Sequence, residues 1–286
     1  MEVGHTALQI PEIINYADRI LSEITLDKLE KVTNQKHDQA WREWLKNSDH
    51  NKINGLETMK HSAFIPGTTD ACGEFMSRYP TRRVRASRSD FILTRILAKN
   101  WTRTFLELEE EELKENDLLI ISHPFSGNGG VYPENVLDHA DRLGVPVMLD
   151  AAYFGNSQGV TYDLNRECIK DFAVSLSKCL ALNQLRLGIR FTRDKVDDGV
   201  TAGLLGADIY DRLGCHIAIE LMREYSHNDV VKLVKPISDS ICFEHNLQAT
   251  NTMTLAIGPE RMREQFERGD YIRVCITDEI VRNIRK

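Results

Sequence analysis

The chain has 286 residues, of which 42% are hydrophobic and 28% charged, the balance of an ordinary globular protein with a sizeable core. The net charge of −7 argues against a nucleic-acid partner. No stretch approaches the length of a membrane span or of a signal-peptide apolar run. The six cysteines include no C-x-x-C pair and no histidine at metal-ligand spacing, so we expect no bound metal, buried thiols and a reducing, cytoplasmic environment.

The first sixty residues predict two helical regions. Apolar residues recur at helical intervals from residue 11 to about residue 32, and Pro11 suits the first turn of such a helix. The polar stretch 33–60 contains Trp41 and Trp44 inside a second helix and shows no recognisable chemistry.

The middle of the chain alternates between strand and helix patterns. Residues 62–66 predict a strand, 67–69 a loop and 70–79 a helix. The later predicted elements are the strand 117–122, the helix 133–143 and the strands 145–150, 172–176 and 187–191. This alternation is typical of parallel crossovers, so we expect an α/β fold with a mostly parallel sheet covered by helices.

Four arginines follow the predicted helix 70–79, and these are Arg82, Arg83, Arg85 and Arg88. They are the one local concentration of positive charge in an acidic chain. We interpret them as a solvated strand and turn rather than as a nucleic-acid-binding patch.

Beyond residue 200 the pattern changes. A long helix is predicted from residue 204 to about residue 225, and the segments 251–256 and 271–276 alternate like strands. We therefore expect two domains, with these bounds: a large domain over 33–200, and a smaller α+β domain made of 1–32 and 201–286.

Four polar segments follow predicted strands, and these are 67–69, 123–130, 150–153 and 175–178. Ligands of doubly wound sheets bind beyond the carboxyl ends of the strands. We therefore expect the four segments to converge on a single site.

Taken one at a time, residues of these segments allow two interpretations each. Thr69 is an anion-binding residue at a helix start or an ordinary helix cap. Asp150 ends an apolar strand, where a buried carboxylate needs a cation from a ligand or from an arginine of the chain. Lys178 is a partly desolvated amine with a lowered pKa, suited to attack a carbonyl, or a surface lysine with a buried stem.

Three motifs, together with their order along the chain, resemble those of the fold-type I aminotransferases that depend on pyridoxal phosphate (PLP). The first motif, Ile121-Ser-His-Pro-Phe-Ser-Gly-Asn-Gly, is similar to the family's Asn-Pro-x-Asn-Pro-Thr-Gly turn. The second, Asp150-Ala-Ala-Tyr153, is similar to its Asp-x-x-Tyr box. The third is similar to its cofactor-lysine segment and consists of Ser175-Leu-Ser-Lys178 with Arg186-Leu-Gly188, which begins eight residues after the lysine. The resemblance runs from about residue 64 to residue 191. It implies a PLP-transferase-like large domain and a reduced small domain.

The resemblance implies a role for three residues in catalysis. Lys178 would hold PLP as a Schiff base and move a proton between substrate and cofactor. Asp150 would keep the pyridine nitrogen protonated, so that the ring withdraws electrons. Tyr153 would donate a hydrogen bond to the phenolic oxygen of the cofactor.

The resemblance also implies binding roles. The residues placed to take the phosphate are Thr68, Thr69, Ser175 and Arg186. Ser126 or Asn128 would stand in for the family's asparagine beside the phenolic oxygen, and Phe91 would stack on the pyridine ring or belong to the core. Arg273 resembles the arginine that binds the substrate α-carboxylate.

An aminotransferase acting on an amino acid and a 2-oxo acid is the function that the resemblance favours. The same fold supports other PLP reactions, namely decarboxylation, cyclisation, racemisation and elimination, and a non-catalytic binding module is a third alternative. The resemblance further implies a homodimer with no nucleic-acid or membrane partner. The chain is unusually short for the family, and we expect the missing length before Thr68 and after Lys178.

Overall fold

The computed structural model describes residues 7–101, 103–180 and 184–285, apart from the side chains of Ala202 and Leu204. The helices are α1 (Pro11–Ser22), α2 (Leu26–Glu30), α3 (Asn34–Lys46), α4 (Thr68–Arg78), α5 (Ile92–Asn100), α6 (Glu134–Leu143), α7 (Arg212–Glu224), α8 (His227–Glu244), α9 (Arg263–Phe266) and α10 (Thr277–Ile284). None of these described helices is both long enough and apolar enough to cross a membrane.

The strands alternate with these helices through the first two thirds of the chain. They are β1 (Lys52–Asn54), β2 (His61–Ile65), β3 (Arg83–Ala86), β4 (Phe105–Glu107), β5 (Asp117–Ser122), β6 (Val147–Ala151), β7 (Thr161–Asp163), β8 (Ile169–Ser175), β9 (Gly188–Thr192), β10 (Gln248–Ala249), β11 (Leu255–Ile257), β12 (Glu267–Arg268) and β13 (Tyr271–Cys275).

Within the described residues, seven strands form the central sheet in the order β2–β9–β8–β6–β5–β3–β4. β9 runs antiparallel to both neighbours, and every other pair is parallel. The mostly parallel α/β sheet predicted from the sequence is therefore confirmed.

Alternate residues of β5 pack on opposite faces of this sheet. Leu118 and Ile120 belong to a core that includes residues of α4 and α5, whereas Leu119 and Ile121 belong to the larger core with residues of α1, α3 and α7. A strand buried on both faces needs apolar side chains at every position, which explains the continuous apolar run in the sequence.

One edge of the sheet carries the carboxyl ends of β2, β5, β6 and β8. The antiparallel β9 begins at the same edge, because Gly188 pairs with both Ile65 and Ser175. Between β5 and β6, Ser122 lies opposite Asp150. The four polar segments therefore meet at this carboxyl edge, as predicted.

A smaller antiparallel sheet, β10–β11–β13–β12, faces the carboxyl edge. The loop before β11 ties the two sheets together. Thr252 N–H donates to the Gly129 carbonyl (2.8 Å), and Asn156 Nδ2 donates to Thr254 Oγ1 (2.8 Å). These bonds hold β13 over the ends of β5 and β6.

Two predicted helices are longer than the observed ones, because each contains a residue that caps the start of a separate helix. The predicted helix 11–32 is interrupted, because Thr25 has an extended backbone and its side chain accepts a hydrogen bond from Lys28 N–H. The predicted helix 204–225 instead begins at Arg212, where the Asp211 side chain accepts from Gly214 N–H, and it follows a separate π-helical segment, Gly199–Leu205.

Two further elements of the small sheet region were predicted wrongly or missed. The sequence did not predict α8, which starts with a capping box between Ser226 and Asp229 and contains Pro236. The predicted strand 251–256 is in fact β11, displaced to Leu255–Ile257, because the preceding residues bond to loops of the large sheet.

The interpretation of the four arginines as solvated is wrong for Arg85. Its side chain is 0% exposed, and Nη1 lies 2.7 Å from the carboxylate of Asp117 on the neighbouring strand. Arg83 Nε bonds the second oxygen of the same carboxylate at 2.7 Å.

All six cysteines are free and buried, as the sequence predicts. They lie on different elements: Cys72 on α4, Cys168 before β8, Cys179 after it, Cys215 on α7, Cys242 on α8 and Cys275 on β13.

Candidate functional site

A cup lined by hydrogen-bond donors lies at the first turn of α4. The first N–H groups of a helix have no carbonyl partner inside the helix and point out of its end. The Arg186 guanidinium packs on this turn so closely that a Cβ added to Gly67 would overlap Nη2. Together with the hydroxyls of Thr68 and Thr69, these groups suit a phosphate.

Asp150 lies at the carboxyl end of β6 and is 5% exposed. Its carboxylate accepts a hydrogen bond from Ala152 N–H (2.9 Å), and the nearby Thr68 hydroxyl acts to lower its pKa. Over the described residues, no Lys, Arg or His nitrogen lies within 4.0 Å of this carboxylate. Burial consequently raises the pKa of Asp150 to about 6.

Lys178 follows β8 and is partly buried. Burial lowers the pKa of its ammonium group, and the negative charge of Asp150 opposes that shift. Its Nζ lies 5.9 Å from the centroid of the Tyr153 ring, and its carbonyl accepts from Leu8 N–H at 3.2 Å. A lowered pKa increases the fraction of neutral amine, which is the form that attacks a carbonyl.

Tyr153, Cys275 and Arg273 bound the site on the side of the small sheet. Tyr153 packs against Cys275, and burial raises the pKa of its hydroxyl to about 12 while the charge of Arg273 lowers it. Arg273 is 4% exposed and donates from Nη1 to the Ser126 carbonyl at 2.7 Å. The charges of Arg273 and Asp150 both act on Lys178.

A buried carboxylate, Asp90, organises the end of β5. It accepts hydrogen bonds from the N–H and the hydroxyl of Ser122, from Phe91 N–H (2.7 Å) and from the Ser126 hydroxyl (3.2 Å). A hydroxyl has one proton to donate. Ser126 therefore directs its proton to Asp90.

The other predicted binding residues differ in what they contact. Asn128 Oδ1 accepts from Gly130 N–H within its own loop (2.8 Å). Ser175 Oγ lies 2.9 Å from Ser177 Oγ and 3.1 Å from the Leu187 carbonyl, so it closes the turn that presents Lys178.

Phe91 is not a core residue, because 37% of its side chain is exposed. It lines a cavity of about 170 Å³ between the 87–91 loop and the β12–β13 hairpin. Asp90 and Arg268 line the same cavity.

Sequence reasoning missed Asp90, Arg268, Cys275 and Leu8. A signal existed for Asp90, since residues 87–91 form a fifth polar segment at the carboxyl edge, after β3. Arg268 had no such signal, because β12 is two residues long and shows no periodicity.

No protein-family model matches the chain, and no curated protein matches it either. Solved structures do match over nearly its whole length. The PLP-bound C-S lyase from Staphylococcus hominis aligns with a TM-score of 0.68 at 12% identity, covering 99% of this chain and 91% of that chain. Aspartate aminotransferase from Thermus thermophilus, in a structure with maleate, aligns with a TM-score of 0.67 at 15% identity, covering 98% and 88%.

An aminotransferase from Staphylococcus aureus aligns comparably, with a TM-score of 0.67 at 14% identity and coverage of 99% and 90%. Identities in this range show the fold. The chain therefore has the fold-type I architecture of these aminotransferases and of the C-S lyase, as the sequence resemblance implied.

Proposed function

We propose that this protein is a PLP-dependent enzyme that moves an amino group between an amino acid and a 2-oxo acid. The observation that carries the proposal is the buried carboxylate of Asp150, which has no Lys, Arg or His nitrogen within 4.0 Å among the described residues. It shares an edge of the sheet with the cup at the first turn of α4 and with the amine of Lys178. A buried charge of this kind is stabilised when a cation is placed against it.

The residues present fit PLP group by group. Asp150 would accept a hydrogen bond from the protonated pyridine nitrogen, whose positive charge offsets the effect of burial on the pKa of the carboxyl group. The phosphate would bind the first turn of α4 and Arg186, where Gly67 lets the guanidinium approach the helix. Nζ of Lys178, whose pKa is lowered by burial, would hold the aldehyde end of the cofactor.

The chain's own residues account for the proton transfers and for substrate binding. When bound, PLP supplies an electron sink for the carbon that bears the amino group. Lys178 Nζ would take the proton from that carbon and deliver it to the C4′ carbon of the cofactor. The Tyr153 hydroxyl keeps its proton at neutral pH, because its pKa is raised to about 12, and is therefore a hydrogen-bond donor. Arg273 would bind the substrate carboxylate through its guanidinium.

Attachment of the cofactor can be tested without measuring activity. The full chain is incubated with PLP, reduced with borohydride and digested, and the labelled peptide is identified by mass spectrometry. We expect one label, on Lys178, and none in Lys178→Ala. The control Lys195→Ala removes an exposed lysine and should retain the label. A label on another lysine, or no uptake of PLP, contradicts the proposal.

The reaction itself is tested with the PLP-loaded protein and a panel of L-amino acids. Transamination converts the bound pyridoxal form to the pyridoxamine form, which changes the absorbance spectrum and releases a 2-oxo acid in equal amount. Ammonia or sulfide release without that spectral change, or no conversion with any donor, would replace the aminotransferase by another PLP reaction.

A further inference from the structure

The β12–β13 hairpin presents two arginines on one face. Arg268 pairs with Tyr271 across the hairpin, so their side chains share a face. Arg273 lies two residues further along β13 and shares that face as well. Diagonal neighbours of this kind lie about 7–8 Å apart, and their Cβ atoms are somewhat closer. Both guanidinium groups therefore arise from the side of the hairpin that faces Tyr153.

The tip of the hairpin is fixed on the large sheet. A Cβ added to Gly269 would overlap the side chain of Ser89, and Asp270 N–H donates to Ser89 Oγ at 3.1 Å. Arg268 Nη2 donates to the backbone carbonyl of Asp90 at 3.2 Å. This contact orients Arg268 through a neutral acceptor.

Burial and the like charge of Arg273 lower the pKa of Arg268, while Tyr153 and Asp90 oppose the shift. In the part of the chain that the structure describes, no carboxylate lies within 4.0 Å of the Arg268 guanidinium. The other arginines of the 170 Å³ cavity differ, because Arg88 and Arg95 both pair with Glu107. Arg268 is thus the cation of this cavity that an anionic ligand would stabilise.

We infer that Arg268 binds a second anionic group of the substrate, so that the amino acid and the oxo acid are dicarboxylates. Arg273 takes the α-carboxylate and Arg268 the carboxylate at the end of the side chain. This inference rests on the proposed function, since it places the substrate between Arg273 and Lys178. Two arginines on one face suit the spacing of four- and five-carbon dicarboxylates, which place their anionic ends a few bonds apart.

The test uses acids that bind without reacting. Binding of succinate and glutarate, and of butyrate and valerate, is measured by calorimetry on the PLP-loaded full chain. We expect the dicarboxylates to bind at least about tenfold more tightly, because each adds one charge-assisted guanidinium contact. Arg268→Met should reduce their affinity to that of the monocarboxylates and leave the monocarboxylates unchanged. Arg273→Met should weaken both classes.

Arg268→Lys keeps the charge and should retain part of the preference, and Arg261→Met, at an exposed position, should retain all of it. Equal affinity for both classes in the unmodified protein, or an unchanged preference in Arg268→Met, overturns the inference. Folding of each variant is checked by its melting temperature, and PLP uptake by the label on Lys178. A failure of the proposed function would appear as missing label, independently of how the acids bind.

Discussion

Asp117 and Asp150 are buried carboxylates on the neighbouring strands β5 and β6. Asp117 lies where β5 begins, at the amino edge of the central sheet, and Asp150 lies near the end of β6, at the carboxyl edge. The Asp117 carboxylate accepts hydrogen bonds from Arg83 and Arg85 (2.7 Å each) and from Lys114 N–H (2.9 Å). The Asp150 carboxylate accepts one hydrogen bond, from Ala152 N–H (2.9 Å). The amino edge therefore satisfies its charge within the protein, whereas the carboxyl edge leaves a charge that a ligand can pair with.

The largest effect is expected at the amino edge. Asp117→Asn leaves the fully buried Arg85 without its counter-charge, which should lower the free energy of unfolding by about 3–5 kcal/mol in urea titrations. PLP binding by the folded fraction should not change. Asp239→Asn removes a partner of the surface ion pair with Lys235 and should cost less than about 1 kcal/mol. Equal losses of unfolding free energy in the two variants would mean that the buried charge pair of Asp117 stabilises the fold no more than an exposed pair does.

Removing the charge of Asp150 should raise the stability of the protein, whereas removing the charge of Asp117 should lower it. The pKa of Asp150 is about 6 in the folded protein and about 3.9 in an unfolded chain, so the folded state without cofactor binds this proton more tightly. The stabilisation is present at low pH and is lost as pH rises from about 4 to about 6. Two pH units correspond to about 3 kcal/mol. Asp150→Asn should thus gain stability relative to the unmodified protein over that interval.

The same dependence of stability on pH is measured with PLP bound. A pyridinium paired with the Asp150 carboxylate lowers the pKa of that carboxyl group. The greater stability of Asp150→Asn above pH 6 should therefore disappear when PLP is added. A stability difference that does not depend on pH in either condition would mean that the Asp150 carboxylate is already paired.

The smallest effect is expected at the cup. Gly67→Ala pushes the Arg186 guanidinium away from the first turn of α4, and we expect PLP to bind about tenfold more weakly, the value of one charge-assisted contact. Pyridoxal, which has no phosphate, should bind equally to both proteins by equilibrium dialysis. Gly203→Ala adds a Cβ in open space and serves as the control. Equal weakening for pyridoxal would place the phosphate elsewhere.

The sheet and the convergence of its polar segments were predictable from the sequence, because strands buried on both faces carry unbroken apolar runs. The run 117–122 shows this clearly. The burial of β3 was not predicted, since Arg83 and Arg85 make it look like a solvated strand and turn, and only the tertiary pairing with Asp117 explains their burial.

The candidate site was predictable where motifs carry it and hidden where contacts between distant segments carry it. Lys178, Asp150 and Arg186 follow from spacing along one stretch of chain. Asp90 and Arg268 lie 178 residues apart and meet because the hairpin tip docks on the 87–91 loop. No periodicity within either segment signals that meeting.

The buried cysteines can report on local opening of the helices and strands that carry them. A thiol reagent reaches a buried cysteine when the surrounding element opens, so each labelling rate measures the opening free energy of that element. Cys72 reports on α4 beneath the cup, Cys275 on β13 beside Lys178, and Cys242 on α8. Ligand-dependent protection of Cys72 and Cys275, with Cys242 unchanged, would locate binding at the carboxyl edge without any substitution.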